Sequence, residues 1–169
     1  SIILGSLTGL NVTRSQNQTE HWISASVCEI LEFGCSVGLN LEGLKNMGFK
    51  KLSGVEINEK VCKLAKEKNP DFNIFNNSIE NFQTDKKYDL VFTSGVLIHI
   101  NPKSINSILE KILDISKKYI WGLEYFSDEI SEVSYRLSPN TCWKQNFPQR
   151  FLEINSKLVC KKEKKYKYK

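Results

Sequence analysis

The sequence predicts an α/β fold with a doubly wound, mainly parallel sheet, and three observations carry that prediction. Short apolar runs recur at Ile30–Leu31, Leu52–Val55, Phe72–Phe75, Tyr88–Thr93, Tyr119–Phe126 and Leu158–Cys160. Between most of them lie stretches whose apolar residues return with helical spacing. Glycine and proline punctuate the joints, with Gly34 and Gly38 after the first run, Pro70 after a helix and Pro148 at the start of another. Strands that alternate with helices form a parallel sheet with helices on both faces.

The stretch Cys28 to Glu56 (CEILEFGCSVGLNLEGLKNMGFKKLSGVE) organises the rest. A strand ends at the acidic Glu32, and a turn with Gly34 and Gly38 follows. Leu39, Leu41, Leu44 and Met47 then give a helix, and a second strand ends in Glu56. This order is one half of a nucleotide-binding sheet. Glycine lets the backbone approach a ligand closely, and the helix that opens there offers free N–H groups. The acid at the tip of the second strand accepts hydrogen bonds from a ribose diol.

Downstream, Glu59–Lys68 (EKVCKLAKEK) reads as a helix that ends before Pro70. Phe72–Phe75 is a short third strand, and Asn77, Ser78 and Ile79 stand where such a fold reads an adenine edge; a plain turn is the alternative. Tyr88–Thr93 is a buried fourth strand, followed by SGVLIHINP. Ser104 has the side chain of an N-cap for a helix carrying Ile105, Ile108, Leu109, Ile112 and Leu113. Tyr119–Phe126 is the fifth strand, 127–146 reads as loop, and Phe147–Asn155 as a short helix. A sixth strand starts at Leu158. An antiparallel seventh strand is not evident: either the tail KKYKYK supplies it or it is missing from the chain. Ser1–Gly9 leaves strand, helix and tag remnant open, and Asn11–Glu20 reads as loop. So little chain before the first strand predicts missing residues near Trp22–Ser26.

The glycine loop narrows the ligand. G-x-S-x-G also spells a hydrolase nucleophile elbow, but no histidine follows His99 to partner Ser36. No Gly-Lys-Ser/Thr follows, so a phosphate-binding loop is excluded. A dinucleotide would bring a pyrophosphate against Glu32, which repels it. Serine is expected to fit the middle position with a negative φ.

Composition narrows the class. The 169 residues, 40% hydrophobic and 25% charged, are those of one ordinary domain. No apolar run approaches the roughly 20 residues of a membrane span, and the start has no basic-then-apolar leader order. The five cysteines are odd in number and scattered, which predicts a reducing cytoplasm and no metal site. The net charge of +5 comes mostly from KKEKKYKYK at the end, a solvated basic tail, so nucleic acid is disfavoured as a partner.

E-F-G-x-S-x-G resembles the first motif of class I S-adenosylmethionine-dependent methyltransferases, with Ser36 at the usual middle glycine. From Val27 to about Cys160 the segments ILEFGCSVGLNLEGLK, SGVEIN, DLVFTSGVLIHINP, GLEYF and WKQNFP look like the methyltransferases associated with pseudaminic acid biosynthesis, with Asn77 where that family tends to glycine. The resemblance implies a Rossmann-like doubly wound sheet, with residues 1–26 an N-terminal segment, 27–160 the methyltransferase domain and 161–169 a basic tail or last strand. It implies S-adenosylmethionine as cofactor, bound by Glu32, Gly34, Cys35, Ser36, Gly38, Glu56, Ile57, Ser78, Ile79 and Ser94. His99, Glu124 and Tyr125 are the candidate catalytic residues, and Tyr135, Arg136 and Lys144 the candidate acceptor-binding ones. The implied acceptor is a small sugar acid or nucleotide sugar, methylated at oxygen or nitrogen. An RNA or protein methyltransferase and a non-catalytic cofactor-binding subunit are the competing readings.

Overall fold

The computed structural model describes residues 9–14, 25–134 and 140–166. Strand β1 is Gly9–Arg14 and β2 is Glu29–Phe33; helix α1 (Leu39–Asn46), β3 (Lys51–Glu56), α2 (Glu59–Lys68) and β4 (Asn73–Asn76) follow. Strand β5 (Tyr88–Ser94) leads through a 3₁₀ turn at Leu97–His99 to α3 (Ile105–Ile115) and β6 (Ser116–Leu123). A two-stranded ribbon of β7 (Ser131–Glu132) and β8 (Trp143–Lys144) precedes α4 (Phe147–Ile154) and β9 (Leu158–Lys164).

The main sheet has the order β4-β3-β2-β5-β6-β1-β9. Strands β4, β3, β2, β5 and β6 run parallel. Strand β1 lies antiparallel to both β6 and β9. The antiparallel strand that the sequence leaves missing is therefore Gly9–Arg14, and Asn11–Arg14 is strand rather than loop. GLNVTR carries little local signal; what fixes it is the slot between β6 and β9, a long-range cause that no local pattern shows. The remainder of 15–24 lies outside the described residues.

Period-two alternation sends β-strand side chains to two cores. Leu31, Phe33 and Val91 point to the face covered by Ile105, Ile108, Leu109 and Ile112 of α3 and Phe147 and Phe151 of α4. Ile30, Leu52 and Phe92 point to the other, against Leu41 and Leu44 of α1 and Cys62 and Ala65 of α2. With both faces covered, the central strands read as continuous apolar runs. Helix α2 begins at Asn58, whose side-chain oxygen accepts the Lys60 and Val61 N–H groups.

Several boundaries differ from the sequence reading: the fifth parallel strand ends at Leu123, and the ribbon of β7 and β8 lies in the stretch read as loop. Ser104 precedes α3 in helical conformation and its hydroxyl makes no capping bond. The fifth parallel strand starts at Ser116, three residues early, because α3 passes straight into it without a loop. Its polar start hides it: Lys117 lies 3.8 Å from Asp89 at the rim of the sheet. Among the described residues no helix is long and apolar enough to cross a membrane.

Candidate active site

The chain winds from β2 outward through β3 and β4 on one side, then returns to β5 and β6 on the other. The crevice at the carboxyl ends of β2 and β5 is where an open α/β sheet binds ligands. The loop after β2 enters the left-handed region at every second residue: φ is 69° at Gly34, 49° at Ser36 and 87° at Gly38. A Cβ at Gly34 would lie 2.3 Å from Cγ2 of Val96, so only glycine fits between that loop and the end of β5.

Ser36 does not take the negative φ that the sequence reading expects. The alternation that turns the chain needs a third left-handed residue at its centre, and serine occupies it at a strain on the order of 1 kcal/mol. Its side chain is exposed, and its N–H, which glycine keeps, donates to Glu56 Oε2 at 3.0 Å. Ser36→Gly should therefore stabilise the protein by on the order of 1 kcal/mol, read as a rise in the denaturation midpoint; an unchanged or lower midpoint would show that the loop carries no such strain.

Two carboxylates flank this loop. Glu56 ends β3, accepting the Ser36 N–H on one oxygen and the Asn58 N–H, at 2.8 Å, on the other. A carboxylate has about four acceptor positions, so Glu56 keeps capacity for a diol. Glu32 is 1% exposed. Asn40, in the first turn of α1, donates to its Oε1 at 2.7 Å, while its buried Oε2 has no partner among the described residues. Burial, and secondarily the charge of Glu56, push Glu32 up to about 8, with the Asn40 bond opposing the shift. An orphaned, reluctant carboxylate at the mouth of a glycine loop has the chemistry to take a cation.

Past Glu56, Ile57 stands 71% exposed. Asn76 Nδ2 donates to the carbonyls of Glu56 and Ile57 at 2.9 and 3.1 Å, and Asn77 N–H donates to the Glu56 carbonyl. The turn 77–82 is thus tied beside an uncovered apolar side chain, the arrangement that a flat aromatic base would use. Ser78 Oγ accepts the Asn81 N–H at 3.1 Å, so its hydroxyl is partly engaged in the turn. The side chains of Ile79 and Cys35 are buried in the two cores. Cys35 Sγ lies in the space that a Cβ on Gly54 would need, and burial pushes its thiol up to about 12. These two cofactor-site candidates can reach a ligand only through their backbone.

At the other end of the crevice, Ser94 is half-buried at the tip of β5, and Gly95 N–H ties it to the Leu123 carbonyl at 2.8 Å. His99 is exposed at the end of the 3₁₀ turn, its Nδ1 2.7 Å from the Thr141 carbonyl. A carbonyl only accepts, so Nδ1 carries a proton, which in a neutral ring leaves the lone pair on Nε2. Glu124 is buried, and its oxygens accept the Val96 and Ile98 N–H groups at 3.1 and 3.4 Å. Burial pushes it up to about 7 against those bonds. The chain's own turn thus engages both oxygens of Glu124. Tyr125 is half-buried, with Lys144 Nζ 5.6 Å from its ring centre. Tyr135 and Arg136 lie outside the described residues. Sequence reasoning passes over Asn40, Val96 and Thr141; the first is legible as a polar residue one turn into the helix that faces Glu32.

Residues 30–118, more than half of the chain, match the methyltransferase domain family. The chain is 29% identical over 127 residues to malonyl-[acyl-carrier protein] O-methyltransferase 1 of Ilyobacter polytropus, covering 70% of this chain and 47% of that protein. It is 34% identical over 85 residues to the ubiquinone biosynthesis O-methyltransferase of Rickettsia felis, covering 48% and 35%. It therefore spans less than half the length of either relative. Among solved structures, a Listeria monocytogenes protein assigned as an S-adenosylmethionine dependent methyltransferase shares the fold at a TM-score of 0.61 and 16% identity, over 79% of this chain and 78% of that one. The plantazolicin methyltransferase BpumL, solved with SAH, shares it at 0.54 and 23%, over 59% and 39%. With its glycine loop, two carboxylates and doubly wound sheet, the chain belongs to the methyltransferase domain family.

Proposed function

We propose that this chain binds S-adenosylmethionine across the carboxyl ends of β2 and β3 and transfers its methyl group to a small anionic acceptor. The observation that carries the reading is Glu32, a buried carboxylate with one unpartnered oxygen beside a glycine loop. The residues present fit the cofactor. Glu32 and Asn40 would hold its cationic amino-acid end, and Gly34, Ser36 and Gly38 would cradle it. Glu56 would accept the ribose hydroxyls, and Ile57 with the turn at Ser78 would flank the adenine. A pyrophosphate at the same place would face Glu32 unpaired, which disfavours a dinucleotide. When bound, the cofactor supplies an already activated methyl group, so the protein mainly aligns and deprotonates the acceptor.

His99 is the proposed general base, poised by its Nδ1–H bond to Thr141 with the lone pair on Nε2. Glu124 holds the turn that carries His99, through the Val96 and Ile98 amides. Tyr125, Lys144, Tyr135 and Arg136 are the proposed acceptor side, where aromatics and cations suit an anionic ligand and arginine grips a carboxylate at two points. The two curated relatives are O-methyltransferases by name, which favours oxygen over nitrogen as the methylated atom. The resemblance of GVLIHINP and EYF to pseudaminic-acid-associated methyltransferases makes a nonulosonic acid, free or nucleotide-linked, the acceptor of choice. Transfer of labelled methyl from S-adenosylmethionine to a cytidine-monophosphate-linked nonulosonic acid tests this. Methylation of the sugar is expected; transfer only to protein or RNA would overturn the acceptor assignment.

Glu32 also sets a pH dependence. Its folded value, about 8, lies above that of an unfolded glutamate, so the free protein holds a proton that the unfolded chain releases. Stability contributed this way is complete below the unfolded value and is lost as pH rises towards 8; Glu124, at about 7, adds to the loss in the same direction. A cationic ligand needs Glu32 ionised. Affinity for SAH should therefore rise by up to about tenfold per pH unit between pH 6 and 8. Calorimetry in buffers of different ionisation enthalpy should record proton release on binding; flat affinity with no proton release would show that Glu32 does not meet the ligand.

A further inference from the structure

Lys111, on α3, is a cation whose position the proposed chemistry leaves unexplained. It is half-buried and makes no ion pair among the described residues. Its Nζ instead donates to the Ile79 carbonyl at 3.1 Å and to the neighbouring Glu80 carbonyl. Those carbonyls belong to a turn 31 and 32 residues away in sequence. The turn is pinned at its start by Asn77 N–H on the Glu56 carbonyl at 3.1 Å and closed by Phe82 N–H on the Ser78 carbonyl at 2.9 Å. Lys111 gives the Ile79–Glu80 peptides a charged tie to α3. Two consecutive carbonyls aimed at one ammonium fix two peptide planes at once, and a bond to a charged group is among the stronger ones available.

We propose that Lys111 is a positioning residue for the adenine half of the cofactor, acting through the turn Asn77–Phe82. The proposal rests on the cofactor reading above and goes beyond it, because Lys111 meets that site only through the Ile79 and Glu80 carbonyls. The helix holds the turn so that its backbone and Ile57 present a preformed slot, and binding then orders nothing there. Lysine suits this role because a compact ammonium with three donors reaches two carbonyls at once.

The test is calorimetric binding of SAH and of adenosine to wild type, Lys111→Met and Lys111→Arg, with thermal melts alongside. Lys111→Met keeps the stem and removes the donors; it should weaken both ligands by the same factor, about 10-fold. Lys111→Arg should restore affinity to within about 3-fold, since guanidinium N–H groups reach the same carbonyls. Unchanged SAH affinity in Lys111→Met, with wild type binding normally, overturns the proposal and leaves the cofactor reading intact. A loss that arginine does not restore, or one that spares adenosine, overturns it too. Failure of wild type to bind SAH overturns the cofactor reading, and the proposal with it. Should Lys111→Met not fold, Lys111→Gln carries the same comparison.

Discussion

His99→Asn lowers turnover by about 100-fold or more while leaving SAH affinity near that of wild type. Asparagine is the informative replacement because its Nδ2–H₂ can still donate to the Thr141 carbonyl, which His99 Nδ1 approaches to 2.7 Å. The variant thus keeps the tie between the 3₁₀ turn and the β7–β8 ribbon, and loses only the basic lone pair on the other ring nitrogen. Unimpaired turnover would assign His99 to fastening the ribbon, and the proton would then go to Glu124 or Tyr125. Glu124 would first have to give up the Val96 and Ile98 amides that it accepts.

Glu56→Ala weakens SAH binding by roughly 1.5–3 kcal/mol, the worth of hydrogen bonds to a charged group, or about 10- to 150-fold in Kd. Two effects contribute. The ribose loses its acceptors, and the Ser36 and Asn58 N–H groups, 3.0 and 2.8 Å from the carboxylate, lose theirs. Glu56→Gln separates the two, since its amide oxygen can still take one of those N–H groups. It should fall between wild type and alanine, and isothermal titration with SAH reads the series. Equal affinity across all three proteins would show that Glu56 only fastens the glycine loop.

The centre of the molecule is legible in its sequence because its causes are local. A buried strand, a glycine-spaced turn, a helix and an acid-tipped strand follow one another within Cys28–Glu56, and each has its own short-range signal. Helix α2 is legible to its observed bounds, Glu59–Lys68, for the same reason: Pro70 and the apolar spacing lie within a few residues. What escapes depends on distant partners. Gly9–Arg14 becomes a strand only because β6 and β9 leave a slot for it. The left-handed φ of Ser36 follows from the alternation of the whole loop, not from serine. Cys35 and Ile79 lie at legible site positions, yet their side chains turn into the cores, because neighbours in a pleated or turning chain face opposite ways. The proposed acceptor side is the least legible: most of its residues come from a stretch, 127–146, whose sequence shows no period.

The most direct test of the central claim is a calorimetric titration of the wild-type chain with SAH, run beside one with a nicotinamide dinucleotide. Glu32, buried with one oxygen unpartnered beside Gly34 and Gly38, predicts saturable one-to-one binding of SAH and none of the dinucleotide. No binding of SAH, or a preference for the dinucleotide, would contradict it.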